Sequence, residues 1–175
     1  RISQVSYTEW TERYRRTHEE LEQFPEQVQT ILNEISGFVR NLADETAHFQ
    51  NWLFLGRGVY YPIALEASLK MKEVTYLHAE GMSAGFLKHG TLAMVDPEMM
   101  SLFFLPPPAE KALHDHTLAA LEEVKARRGP VIAFLFADDA QAKKSVERYI
   151  ELPPVSPAVA PLLELIVAQL FAYFS

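Results

Sequence analysis

Cysteine is absent from this 175-residue chain, and basic residues are scarce beside acidic ones. The first absence excludes a disulfide scaffold, thiol catalysis and a cysteine-ligated zinc site, and it fits a reducing compartment. Sixteen Lys plus Arg stand against twenty-three Asp plus Glu, a net charge of −7. That balance argues against nucleic acid and anionic membrane as partners, because both require clustered basic surface. A long apolar run is missing too. The nearest approach, Leu162 to Phe174, carries Glu164 and Gln169 and falls short of the ~20 residues of a membrane helix. Arg1 leads into polar, charged sequence, so no signal peptide is read there. What is present, 49% hydrophobic residues, is too apolar for a disordered chain and ample for one core. The expectation is a globular, cytoplasmic domain with a helical appendage.

Residues 1–48 read as that appendage. Tyr7 to Glu22 is densely charged, with Trp10, Tyr14 and Leu21 as sparse apolar points. Phe24-Pro25 interrupts it, and Pro25 suits the first turn of a new helix. Val28, Ile31, Leu32, Ile35, Phe38 and Val39 then recur at three- and four-residue steps, an amphipathic stripe. Gly37 ends this helix or bends it. Two or three helices are expected over residues 8–48.

Residues 49–175 alternate strands and helices. Asn51 to Gly56, Met100 to Leu105 and Val131 to Phe136 are short apolar runs, and Arg148 to Leu152 is a weaker fourth. Helices are expected over Pro62 to Leu77, Glu110 to Arg127 and Pro157 to Phe174. The last is apolar nearly all round and therefore buried. Apolar strands separated by helices indicate an α/β fold, a parallel sheet covered on both faces. Ligands of such sheets bind beyond the carboxyl ends of strands, which directs attention to the segments after Leu55, Leu105 and Phe136.

After the first strand, Gly56-Arg57-Gly58 forms a glycine turn leading into a helix. Such a turn lets backbone amides approach an anion, but without a third glycine the pattern favours a tight strand-to-helix connection over a cofactor loop. Glu66, Lys70 and Glu73 fall at i, i+4 and i+7, on one helix face. They are a surface ion pair worth about a few tenths of a kcal/mol, or a carboxylate base held beside a cation. Tyr76 to Leu92 gathers His78, Glu80, Lys88 and His89 among glycines at 81, 85 and 90. Two histidines put proton-transfer groups near neutral pH. The spacing is not that of a zinc site, so no metal is assigned. His114-Asp115-His116 reads as solvated helix surface. Pro106-Pro107-Pro108 lacks hydroxyls and amide donors and is a poor phosphate cradle.

One continuous stretch carries a resemblance. Phe54-Leu55-Gly56-Arg57-Gly58, Tyr61-Pro62-Ile63-Ala64-Leu65-Glu66, Leu69-Lys70-Met71-Lys72-Glu73, His78-Ala79-Glu80 and Ala84-Gly85-Phe86-Leu87-Lys88-His89-Gly90 closely resemble the second sugar-isomerase (SIS) half of the glucosamine-6-phosphate synthases. The match is dense over residues 52–96 and looser over 24–51 and 97–174. It implies a flavodoxin-like three-layer sandwich with a five-stranded parallel sheet, paired with another such domain and assembled as a homodimer. The implied reaction takes fructose 6-phosphate and a nitrogen donor to glucosamine 6-phosphate, with no cofactor. By motif position Glu73 resembles the base for C1–C2 proton transfer and Lys70 the lysine that helps place it. His89 resembles the histidine of ring opening, contributed in this family across the dimer interface. Gly56, Arg57, Gly58, Glu66 and Lys88 complete the candidate set as substrate-binding residues.

The departures matter as well. Where the family carries a glutamate before Leu-Lys-His-Gly, this chain has Phe86. The phosphate-holding Ser- and Thr-rich loop belongs to the family's first SIS half, and its tail lysine lies beyond the stretch ending at Ser175. The expectation is half an isomerase, without turnover by itself. Two other readings keep the fold: a sugar-phosphate deaminase or isomerase, and a non-catalytic module that binds a phosphosugar.

Overall fold

The computed structural model describes residues 6–175. Its first element, α1 (Tyr7–Thr46), is one continuous helix of 40 residues, about 60 Å long. Ser6 caps it by accepting a hydrogen bond from the Glu9 amide. Two or three helices were expected here, and the structure corrects that. Pro25 lies inside the helix, where it removes only one backbone hydrogen bond. Strong helix formers flank it, Glu19 to Gln23 before and Glu26 to Gln27 after. Gly37 is also interior and exposed. The anchored part is the later half, where Ile31, Val39, Leu42, Ala43 and Thr46 are buried.

Five parallel strands follow: β1 (Asn51–Gly56), β2 (His78–Ser83), β3 (Met99–Phe104), β4 (Val131–Phe136) and β5 (Arg148–Leu152). Their order is β2-β1-β3-β4-β5, so the chain reverses its direction of travel across the sheet between β1 and β3. Between the strands run α2 (Tyr60–Thr75), α3 (Lys111–Ala126) and α4 (Ala140–Ser145), and α5 (Ala160–Phe174) closes the fold.

Strand side chains alternate between two cores. Trp52, Phe54, Leu102, Phe104, Phe134 and Ile150 face one, shared with α1, α2 and α5. Leu53, Leu55, Phe103, Leu105, Ala133 and Leu135 face the other, shared with Leu118, Leu121 and Val124 of α3 and Ala142 of α4. This is why the central strands are apolar without alternation: both faces are dry.

The strand β2 was not read from the pattern of residues. His-Ala-Glu-Gly-Met-Ser is a sheet-edge sequence, and only Ala79 is fully buried. The short helix α4 also escaped notice, being a single turn and a half capped by Asp139.

Candidate functional site

The turn after β1 is built by its glycines. A Cβ on Gly56 would sit 2.0 Å from the Tyr60 carbonyl oxygen, an impossible overlap. Gly58 has φ +59 and lies against Leu113, so a side chain there would be strained. The turn presses α2 against the strand end. The Ala84 amide bonds the Gly56 carbonyl at 2.9 Å, joining it to the segment after β2. The Arg57 guanidinium lies over Gly85.

Further down α2, the Lys70 ammonium donates to Glu73 at 2.6 Å and lies 3.8 Å from Glu66. The three share one face, as their spacing requires. The bond to Glu73, then the nearby carboxylate charges, raise the Lys70 pKa above its ordinary value. Lys70 is half-exposed and Glu73 more so, leaving the group open to a ligand or partner.

The candidate residues do not form one cluster within the chain. Tyr60 opens α2 at the carboxyl edge of the sheet, and Glu73 lies thirteen residues on, about 20 Å along the helix at the opposite edge. His89 ends a 3-10 turn (Leu87–His89) beyond Ser83, back at the carboxyl edge. It is exposed and its ring is tilted 58° against Phe86, itself exposed. Lys88 forms a 2.6 Å ion pair with Glu123 of α3, so that candidate is occupied by a partner within the chain.

A second group lies where β1 and β3 diverge. The Tyr60 hydroxyl donates to Glu110 at 2.8 Å. Burial, then the charges of Glu164 and Glu110, push the phenol pKa well up. Glu164 of α5 is fully buried, and neither carboxylate oxygen has a hydrogen-bond partner among the described residues. Burial and the charge of Glu110 raise its pKa well above the ordinary carboxylate range. Sequence reasoning missed this group. Its one visible signal was a lone acid inside an otherwise apolar helix.

His114 corrects the expectation of solvated surface. It is buried, and its Nε2 lies 2.7 Å from the equally buried Asp139. Asp139 also accepts from the Ala142 amide at 2.9 Å, capping α4. The bond to Asp139 raises the His114 pKa despite burial. Burial alone would raise Asp139, but the His114 bond and the Ala142 amide hold it below its ordinary value. No signal in the sequence paired residues 25 positions apart.

A concavity of about 710 Å³ lies between α1 and the carboxyl ends of β4 and β5, lined by Ile31, Ile35, Leu152 and the acids Glu26, Glu34 and Glu151. It contains none of the candidate residues, and its acids do not suit a phosphate. Among the described residues, no three metal-ligating side chains gather.

An open parallel sheet with a switch between β1 and β3, a glycine turn after β1 and an acid–lysine–acid face on α2 define a doubly wound α/β domain with a flavodoxin-like strand order. The family model described as SIS domain matches residues 46–174, and the chain belongs to that family. It is 37% identical over 153 residues to a glutamine–fructose-6-phosphate aminotransferase (isomerizing) of Synechocystis sp., covering 87% of this chain and 24% of that protein. The Vibrio cholerae protein of the same name is 41% identical over 155 residues, with 87% and 24% covered. Among solved structures, the C-terminal domain of glucosamine-fructose-6-phosphate aminotransferase from Francisella tularensis superposes with a TM-score of 0.79 at 36% identity, covering 89% of this chain and 43% of that one. The chain thus spans about a quarter of the length of these curated relatives.

Proposed function

We propose that this domain is the second SIS half of an isomerizing aminotransferase that forms glucosamine 6-phosphate from fructose 6-phosphate and a nitrogen donor. The observation that carries the reading is the Lys70–Glu73 bond of 2.6 Å on an accessible helix face, within the stretch that resembles the synthases. Moving a proton between C1 and C2 of an open-chain sugar needs a base close to the carbon and a cation to hold that base in place. Glu73 is the base and Lys70 its positioner.

His89 assists ring opening, and it does so in the site of a second copy. About 20 Å of helix separates the edge bearing Glu73 from the edge bearing His89. A histidine that far away cannot serve its own chain's base, whereas a homodimer can bring the two together. The exposed side chains of Tyr61, Leu65 and Leu69, at four-residue steps on α2, supply an apolar surface for that pairing. Glu66 stands beside Lys70 at that site, and Gly56, Arg57 and Gly58, which lie at the carboxyl edge with His89, reach it from the second copy. The sugar phosphate is held by a loop outside these 175 residues, since Pro106 to Pro108 offer it no amide. The protein works in the cytoplasm and needs no cofactor.

Complementation tests the reading. Full-length Glu73→Gln and His89→Ala variants should each lose synthase activity by about a thousandfold or more. Mixed dimers of the two should recover a substantial fraction, because one site of each hybrid holds both native residues. Unaltered activity of Glu73→Gln would remove the base; no recovery in hybrids would place His89 in its own chain's site.

A further inference from the structure

A second concavity, of about 470 Å³, lies at the amino edge of the sheet, between the last turns of α3 and α4 and the first residues of β4 and β5. Its lining includes Lys125, Arg128, Lys143, Lys144 and Arg148 against a single acid, Glu147. Five of the chain's sixteen basic residues thus line one hollow of a protein whose net charge is −7.

Two of the five have structural work. Lys125 donates to the Ser145 carbonyl and pairs with Glu122 at 3.2 Å, tying the end of α3 to the end of α4. The Lys143 ammonium turns to Glu151 at 2.7 Å and to the Ala137 carbonyl. Basic residues in a last helical turn also offset the partial negative charge there. Lys144 falls in the last turn of α4 and so under that account, whereas Arg128 and Arg148 are not in helices; none of the three makes a salt bridge among the described residues. Arg128 is held in the left-handed region, φ +64, one of two non-glycine residues so placed among the described residues. A position that would suit glycine carries a guanidinium beside the hollow.

We infer that this hollow binds a small, multiply charged phosphorylated metabolite, one bearing a diphosphate on a compact organic body. The volume falls within the range of small-molecule sites and exceeds what orthophosphate would fill. Arg128 and Lys144 line it without salt bridges, Arg148 stands at its rim, shared with the cleft beside Phe38 and Leu42 of α1, and guanidinium groups suit bidentate phosphate contacts. Pro130, Val131 and Val146 supply an apolar wall for the organic part.

The hollow is separate from the proposed reaction site. It lies on the α3–α4 face and toward the β5 edge, whereas Lys70 and Glu73 lie on α2, which packs on the opposite face beside β1 and β2. The glycine turn and His89 are at the other end of the strands, about 20 Å away for six residues. A ligand here acts as an effector, and α4, tied to both α3 and β5, is the element that would transmit its binding.

Calorimetric titration of the full-length protein at low ionic strength, with inorganic pyrophosphate as the probe, tests the inference. The expected result is saturable binding that added salt weakens and fructose 6-phosphate does not displace. The double variant Lys144→Ala/Arg148→Ala should weaken it by about tenfold or more, and Arg128→Gly should weaken it without lowering the melting temperature. No saturable binding, equal binding by the double variant, or displacement by fructose 6-phosphate would overturn it. So would preference for a long polyanion such as heparin, which would make the hollow part of an extended surface.

Discussion

The Tyr60 hydroxyl and the Glu110 carboxylate, fifty residues apart, are joined at 2.8 Å beneath the point where β1 and β3 part. The bond ties the glycine turn after β1 to the proline loop after β3. Tyr60 is buried and Glu110 half-buried, so losing the bond leaves the carboxylate without its donor. Tyr60→Phe should lower stability by about 1–2 kcal/mol. Urea denaturation would show this as a lower midpoint with an unchanged slope.

Glu164 keeps its proton to higher pH in the folded protein than in the unfolded chain, because burial and the charge of Glu110 raise its pKa well above 4.5. The folded state then holds a proton that the unfolded state releases. Linkage makes the sign unambiguous: stability falls as pH rises above the unfolded value and towards the folded one. Glu164→Leu removes that loss, so the variant should match the parent near pH 4.5 and exceed it increasingly at higher pH. Thermal melts across that range would decide, and a parallel pH dependence in the two proteins would contradict the assignment.

The His114–Asp139 pair gives stability within a window. The folded pKa of His114 is raised, so its contribution is complete below 6.5 and is lost as pH rises through the folded value. The folded pKa of Asp139 is lowered, so its contribution holds above 3.8 and is lost as pH falls through the folded value. Asp139→Ala removes both this bond and the cap of α4 and should cost about 3 kcal/mol between those limits. His114→Gln should flatten the alkaline side of the stability profile measured by urea unfolding.

Lys70 and Glu73 carry little of the fold. Their side chains are 33% and 52% exposed, so solvent screening leaves the pair little to add to stability. Lys70→Met and Glu73→Gln should leave the melting temperature within about 2 °C of the parent while abolishing turnover. Paired melts and assays would separate the roles, and a large fall in stability would mark the pair as structural.

Much of the fold was legible because local chemistry dictated it. Val131 to Phe136 and Arg148 to Leu152 are strands with the boundaries their residues suggest, flanked by Gly129-Pro130 and Pro153-Pro154. The face bearing Glu66, Lys70 and Glu73 follows from helical spacing alone. The strand β2 was hidden because an edge strand has little to bury, so its residues need no apolar pattern. The continuity of α1 was hidden for another reason: a proline marks a boundary only when its neighbours do not insist on helix.

By itself, then, the sequence determined the parallel α/β class, the composition of its central strands and the one helix face that unites an acid, a lysine and a second acid. Those are consequences of spacing and of local burial. Only the tertiary structure decided that His114 is an interior group clamped to Asp139, that Glu164 has no hydrogen-bond partner among the described residues, and that Glu73 and His89 lie at opposite edges of one sheet. Each of these depends on which distant segments meet, and the energy of a charge is set by that meeting rather than by its neighbours in the chain.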